Sequence, residues 1–392
     1  MPSQFRPAPQ DVIDLFGEPW TVQPHPAVAI KAAYAQEGGR ALVYQLRDTR
    51  GRPMALKVFK SRFREPSLAE SGSRLAWLQP LEGLTAAKRQ VVLPSEAAVR
   101  RFPDLEYALM MPWLEGATWQ ETLVQANQHG ATLPFAGAVH LCEAFLRVMA
   151  QLEGRGVAHT DIACGNVVVH VDSPAVQLLD LEDMYLPGSP APGPKRAGSP
   201  DYRHRARQSV FCAEGDRFAT ALLAAEILLL AEPTFTPLAS DTGMFGSPDD
   251  GSADQRYAET RPWLAHAAPE FAEVFARAWS APSLQECPTV SDLHNAVVPL
   301  AKRTGPVAPP PDNEHVIWRK PGTGHRSEPG RRTGPSPTPP PQGNGSVIWS
   351  AVGQPPAQPT PLSPPARPRP AIPIWTIIVA ALILAVLLFL VI

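Results

Sequence analysis

Gly156 to Asp183 reads G-V-A-H-T-D-I-A-C-G-N-V-V-V-H-V-D-S-P-A-V-Q-L-L-D-L-E-D, and the rest of the chain is arranged around this stretch. Inside it, Asp161, Asn166 and Asp180 stand at the intervals that phosphoryl transfer to a hydroxyl requires. One carboxylate orients the attacking oxygen, while an amide and a second carboxylate hold magnesium against the phosphates. The flanks fit that use. Upstream, Leu141, Phe145, Val148, Met149 and Leu152 recur at intervals of three and four, which predicts an amphipathic helix from about Ala136 to Arg155 that delivers the loop. Downstream, an apolar strand, a turn and L-L-D bring the second carboxylate back.

Working outward toward the N-terminus, A-V-A-I-K-A-A-Y, A-L-V-Y-Q-L and M-A-L-K-V-F-K are three short β-rich runs separated by E-G-G-R and D-T-R-G-R-P, a pattern of antiparallel hairpins. Lys57 lies in the third run, flanked by Ala55, Leu56 and Val58. A lone lysine in a strand is usually solvated, and the apolar flanks together with the downstream loop mark this one as functional. Leu105 to Gly116, L-E-Y-A-L-M-M-P-W-L-E-G, reads as an apolar strand running into a turn. Asp216 opens a strongly apolar helix, where a carboxylate is favoured by the helix dipole.

The order apolar, His, x, Asp, four residues, Asn, then L-L-D resembles the protein-kinase signature H-R-D-L-x-x-x-N followed by D-F-G. From about residue 27 to 300 the chain resembles the bacterial serine/threonine protein kinase-like family. The resemblance implies an α+β, bilobal protein-kinase-like fold, with a small antiparallel β lobe at about 25–114 and a larger α-helical lobe at about 115–300. It also implies ATP and Mg2+. Asp161 would be the catalytic base or hydroxyl-orienting group, with Asn166 and Asp180 as metal ligands. M-A-L-K resembles V-A-I-K, so Lys57 would pair with the α and β phosphates. Its carboxylate partner would be Glu70, with Glu65 as the runner-up. Gly38 and Gly39 would belong to the glycine-rich loop over the phosphates, and Val43, Ala55 and Met111 would line the nucleotide pocket. Leu114 would offer an adenine-binding amide, and Asp216 would hold the catalytic loop through backbone hydrogen bonds.

The chain departs from the family at several of these places. Aligned on Val43, the three loop-glycine positions hold Gln36, Gly38 and Ala41. Thr160 replaces the arginine that pairs with an activation-loop phosphate, and Ala163 replaces a lysine that balances the transferred phosphate. D-F-G becomes Asp180-Leu181-Glu182, as in bacterial kinase-like proteins reading Asp-Tyr-Asp-Gly-Met, which makes Glu182 a third acid near the metal. G-S-P-D-Y-R-H-R-A resembles the end of an activation segment, with Ala206 for its closing glutamate and Cys287 for that glutamate's arginine. The expected function is a membrane-tethered cytoplasmic kinase moving the γ-phosphate of Mg-ATP to Ser/Thr hydroxyls of proteins. The alternatives are a pseudokinase scaffold that binds nucleotide or a partner, and a small-molecule kinase on the same fold.

Composition bounds the rest. The 392 residues include 47 prolines concentrated after residue 303, which favours one large domain plus a tail. The formal net charge of -2 is uneven: residues 301–373 carry nine Lys or Arg against three Asp or Glu, leaving about -8 on the remainder. A basic tail on an acidic body points to an anionic membrane surface and away from nucleic acid. Cys142, Cys164, Cys212 and Cys287 are far apart and form no C-x-x-C pair, so neither a disulfide framework nor a zinc site is indicated. M-P-S-Q-F-R-P-A-P-Q lacks the basic start and apolar run of a signal peptide. Residues 1–24 read as an N-terminal extension.

Residues 301–373 are too rich in proline and small polar residues to bury a core and read as a disordered linker. They hold a duplication, R-T-G-P to V-I-W, whose triplets Val316-Ile317-Trp318 and Val347-Ile348-Trp349 read as partner-docking motifs or as a repeated spacer. Residues 374–392 are uncharged and apolar, and at ~1.5 Å per residue they match the hydrocarbon core of a bilayer. Trp375 sits at an interface position, and Arg367 and Arg369 precede the span, which keeps the preceding domain cytoplasmic by the positive-inside rule. The reading is a single-pass C-terminal anchor.

Overall fold

The computed structural model describes residues 5–26, 32–190, 198–249 and 251–305, and these form an α+β structure. Seven strands make one antiparallel sheet: β1 (Val12–Leu15), β2 (Glu18–Val22), β3 (Ala35–Glu37), β4 (Ala41–Arg47), β5 (Pro53–Phe59), β6 (Gln90–Val91) and β7 (Leu109–Pro112). The spatial order is β1-β2-β4-β5-β7-β6, with β3 sharing one edge of β4. Helices α1 (Ser67–Leu75) and α2 (Ala97–Arg101) lie in the connection between β5 and β7. The remainder is largely helical: α3 (Trp119–His129), α4 (Phe135–Glu153), α5 (Arg217–Leu229), α6 (Ser252–Ala267), α7 (Pro269–Ser280) and α8 (Val290–Thr304). A small sheet of β8 (Ala117–Thr118), β9 (Val167–His170) and β10 (Ala175–Leu178) is set among them. A sheet part and a helical part in this order are compatible with a bilobal fold.

The strand period of two divides the large sheet between two cores. Leu56 and Val58 on β5 and Met110 on β7 face a cluster with Ile13, Leu15, Trp20, Val22, Tyr44 and Leu46. Ala55 and Met111 face the other way, into the cluster that continues through α4 and α5. α4 is buried along most of its length, including Leu141, Phe145, Val148, Met149 and Leu152. By length and composition it is the one described helix apolar enough to cross a membrane, but its apolar residues pack against α5 and α8. α3 and α8 begin with capping boxes, Thr118 with Glu121 and Thr289 with Asp292, each satisfying two otherwise unpaired backbone donors.

Two expectations change. Residues 12–22 are part of the sheet and do not stand apart as an extension: V-I-D-L forms β1, with Ile13 and Leu15 inward, and it turns through Phe16 and Gly17, both at positive φ. Phe5 also packs edge-on against Tyr44 and Phe102. At the other end α8 runs through Thr304, so residues 301–304 are helix and the linker's first residues belong to the folded body. The remaining linker, both Val-Ile-Trp triplets and the apolar run 374–392 lie outside the described residues.

Candidate phosphotransfer site

α4 ends at Glu153, and the chain turns through Gly156 into the loop carrying Asp161. Asp216, buried just before α5, takes backbone N–H bonds from His159 and from Thr160, the latter at 2.8 Å, so one carboxylate fixes the loop. Burial raises its pKa above the ordinary aspartate value, partly opposed by the charge of His159 and by these bonds. Thr160 sits at φ 70°, the left-handed region that costs a β-branched residue strain, and its hydroxyl donates to the Asp183 carbonyl at 2.9 Å. This is what the residue in the arginine's place does here: it ties the loop to the turn that follows Asp180.

The hairpin of β9 and β10 sets the metal-ligand candidates side by side. Val167 pairs with Leu178, so Asn166 and Leu179 meet at the mouth, where Leu179 N–H donates to the Asn166 carbonyl at 2.9 Å. Asp180 follows immediately, at φ 54°. The Asn166 amide donates to the Asp161 carbonyl at 2.8 Å, which leaves its side-chain oxygen for another partner. Asp161 accepts a hydrogen bond from the Ser199 hydroxyl at 2.7 Å.

Lys57 reaches the same place from the sheet. Its ammonium is 2.7 Å from Asp180 Oδ1 and 2.8 Å from Glu182 Oε2. Burial would lower the lysine's pKa, but Glu182 and then Asp180 raise it, so it stays charged. The Glu182 side chain is only 5% exposed, and its second oxygen accepts from Arg89 Nη1 at 2.7 Å. Burial opposes ionisation of Glu182, yet Lys57 and Arg89 together hold its carboxyl at about 2. Both Glu182 oxygens are thus committed to cations, and it does not stand free as a third metal acid. Arg40, from the tip of the β3–β4 hairpin, forms an ion pair with Asp183 in the same turn.

Glu70 is not the partner of Lys57. Its side chain is 70% exposed and pairs with Arg74 one turn along α1, while Glu65 accepts from the Ser67 hydroxyl at 3.3 Å. The physical reason is that the lysine's electrostatic demand is met by Asp180 and Glu182, so Glu70 and Glu65 stay at the surface with local partners.

The nucleotide-pocket candidates share one face by strand register. Val43 pairs with Lys57, Lys57 with Leu109 and Ala55 with Met111, so residues 43, 55, 57 and 111 project to the same side. Val43 and Leu114 are partly buried against the cluster that holds Ala55 and Met111. Gly116, at φ 110°, lets the segment after Leu114 approach β9: an added Cβ would lie 2.9 Å from Val168 Cγ1 and 3.0 Å from the Val169 carbonyl oxygen. Gly38 and Gly39 form the β3–β4 tip, closed by Gly38 N–H to the Ala41 carbonyl at 2.8 Å. A Cβ on Gly39 would meet nothing within 4 Å.

Ser199, Arg89 and Glu226 escaped the sequence reading. Ser199 lay inside the quoted G-S-P-D-Y-R motif, and its hydroxyl two residues before a conspicuous acid was a usable signal. Arg89, in K-R-Q-V-V, carries no local signal of burial. Glu226 sits inside an apolar helix and accepts from Trp119 Nε1 at 3.0 Å, the Tyr202 hydroxyl at 2.7 Å and Met244 N–H at 2.7 Å. Ala206 and Cys287 can form no ion pair, and the segment around them is tied by His204 to the Ala281 carbonyl at 2.9 Å and by Arg217 to Glu153 and the Cys287 carbonyl.

In comparison with known proteins, the chain matches no family model and no curated protein. Among the described residues no group of three or more His, Cys, Asp or Glu side chains could hold a metal ion. An Asn and Asp pair fits Mg2+, which takes one or two protein ligands and completes its shell with water and substrate phosphates.

Proposed function

We propose that this chain is an ATP-dependent phosphotransferase of the serine/threonine protein kinase type, tethered to a membrane with its catalytic domain cytoplasmic. The observation that carries the reading is the meeting of Lys57 with Asp180 at 2.7 Å, from segments 123 residues apart, beside a loop holding Asp161 and Asn166. A buried, charged lysine aimed at an exposed carboxylate is costly for stability alone and useful for binding a polyanion with its counter-ion.

In this reading Val43, Ala55 and Met111 receive the base and Leu114 presents its amide. Lys57 pairs with the α and β phosphates. Asn166 and Asp180 would hold Mg2+, which when bound neutralises charge on the phosphate oxygens. Asp161, oriented by Ser199, accepts the proton of the substrate hydroxyl as its oxygen bonds to the γ-phosphorus. The bond from that phosphorus to the β–γ bridging oxygen breaks, and ADP leaves. Asp216 and Thr160 keep the loop from reorganising during the step.

The test is phosphate transfer from γ-labelled ATP, with magnesium, by the full chain in detergent onto generic protein substrates, beside Asp161→Asn. Label on protein that disappears in the variant supports the reading. Nucleotide binding without transfer by the wild-type chain would select the pseudokinase reading. Ala163, in place of a positive charge near the acceptor, favours a small-molecule kinase as the second reading, and ATP turnover only with a metabolite would select it.

A further inference from the structure

We propose that Glu182, braced from behind by Arg89, is the positioning residue for Lys57, so that the lysine is held by the metal-binding turn and not by helix α1. The purpose of that positioning rests on the phosphotransfer reading, whereas the contact itself rests on geometry.

Lys57 has two carboxylate neighbours, and they differ in kind. The Asp180 side chain is 52% exposed, and in the proposed function its oxygens turn to the metal. Glu182 is 5% exposed, with one oxygen on Lys57 and the other 2.7 Å from Arg89 Nη1. The Arg89 side chain is fully buried, and its Nε donates to the Ala86 carbonyl at 2.9 Å, which fixes the guanidinium to backbone. Glu182 therefore cannot swing away without leaving two buried cations unpaired, so it remains with Lys57 when Asp180 is recruited elsewhere. The α1 acids are occupied on the surface, as described above.

The consequence concerns regulation. Asp180 immediately precedes, and Glu182 lies within, one short turn, Leu181–Asp183, tied down by the Thr160 hydroxyl at the Asp183 carbonyl and by Arg40 at the Asp183 carboxylate. The ordering of that turn sets the lysine and the metal carboxylate together. Neither carboxylate is carried by α1, so a ligand that reorders the turn acts on the lysine and the metal carboxylate at once.

The experiment is acetylation of the full chain in detergent by acetic anhydride at one fixed pH, with the rate at Lys57 followed by mass spectrometry against Lys60 as an internal reference. Glu182→Gln is expected to speed Lys57 labelling at least about tenfold, the loss of a charge-assisted hydrogen bond. Glu182→Asp restores part of the protection. Glu70→Ala stays within about twofold of wild type, because an exposed ion pair contributes little. Since Glu182→Gln leaves Arg89 uncompensated, Glu182→Gln/Arg89→Met carries the same measurement if the single variant melts too low. Unchanged Lys57 labelling in a folded Glu182 variant, or faster labelling in Glu70→Ala, overturns the proposal. If labelling follows Glu182 while wild type transfers no phosphate to any acceptor, the positioning stands and the phosphotransfer reading falls.

Discussion

Asp161 is held on three sides by groups that orient it without neutralising it: the Ser199 hydroxyl on one carboxylate oxygen, the Asn166 amide on its own carbonyl, and Asp216 on the two amides before it. Asp161→Asn keeps these contacts but cannot take a proton, and should lower the transfer rate by about 10²- to 10⁴-fold with little change in nucleotide affinity, as read by steady-state kinetics. Glu226 makes a different prediction. Burial pushes its carboxyl up to about 7, against an ordinary value of 4.5, despite hydrogen bonds from Met244, Tyr202 and Trp119 that pull it down. Between pH 4.5 and 7 the folded protein thus retains a proton that the unfolded chain has lost, and stability falls as pH rises through that window. Glu226→Gln should remove that fall, about 3 kcal/mol across the window, measured by denaturant unfolding. His204, held below 6.5 by burial, costs stability as pH drops instead, and it is common to the wild type and the Glu226→Gln variant. Residues of this kind differ in how legible they are. Asp161 and Asn166 are five apart in one loop, so local spacing reveals them. Glu226 looks like an error in an apolar helix until Trp119, Tyr202 and Met244 are brought to it from three other segments.

At the scale of elements, the β1–β2 hairpin shows where pattern reading fails. Its turn is Phe16-Gly17, which has the positive φ values of a tight hairpin but not the Asn-Gly or Asp-Gly that would announce one. Each strand buries only two side chains, too few for periodicity to stand out, yet Leu15 and Val22 are fully buried and Trp20 nearly so. Trp20→Ala should cost about 3–5 kcal/mol by chemical denaturation, which a dispensable extension would not. Helix ends were more readable in principle. Thr289 and Asp292 cap α8 reciprocally, and Thr289→Ala should cost about 1 kcal/mol in the same measurement. α4 and α5 announce themselves because long helices repeat their apolar spacing over many turns. The Lys57 partner did not, because the choice between Glu70, Glu65 and Glu182 depends on which carboxylate the fold buries, and all three are ordinary acids in the sequence.

For the whole molecule, the sheet part and the helical part meet through charges: Lys57 and Arg89 on one side with Asp180 and Glu182 on the other, and Arg40 with Asp183 beside them. Arg40 is the most exposed of these cations, so its tie should weaken with ionic strength while the buried pairs persist. Arg40→Ala should therefore change stability by less than about 1 kcal/mol at low ionic strength and by nothing measurable at high, read by denaturant unfolding at the two salt concentrations, and leave the fold intact. Removing residues 374–392 should move the chain from the membrane pellet to the soluble fraction on cell fractionation, since that run supplies the apolar length of a bilayer span. The amino-acid sequence by itself determined the α+β class, the loop with Asp161, Asn166 and Asp180, the lysine strand, and the change of composition after the folded body. All of these are written in local spacing and side-chain type. Only the tertiary structure decided that residues 12–22 complete the sheet, that Glu182, itself paired with Arg89, holds Lys57 in place of Glu70, and that Ser199 faces Asp161. Those are decisions about which charges and hydroxyls lose water together, and desolvation is a property of packed neighbours distant in the chain.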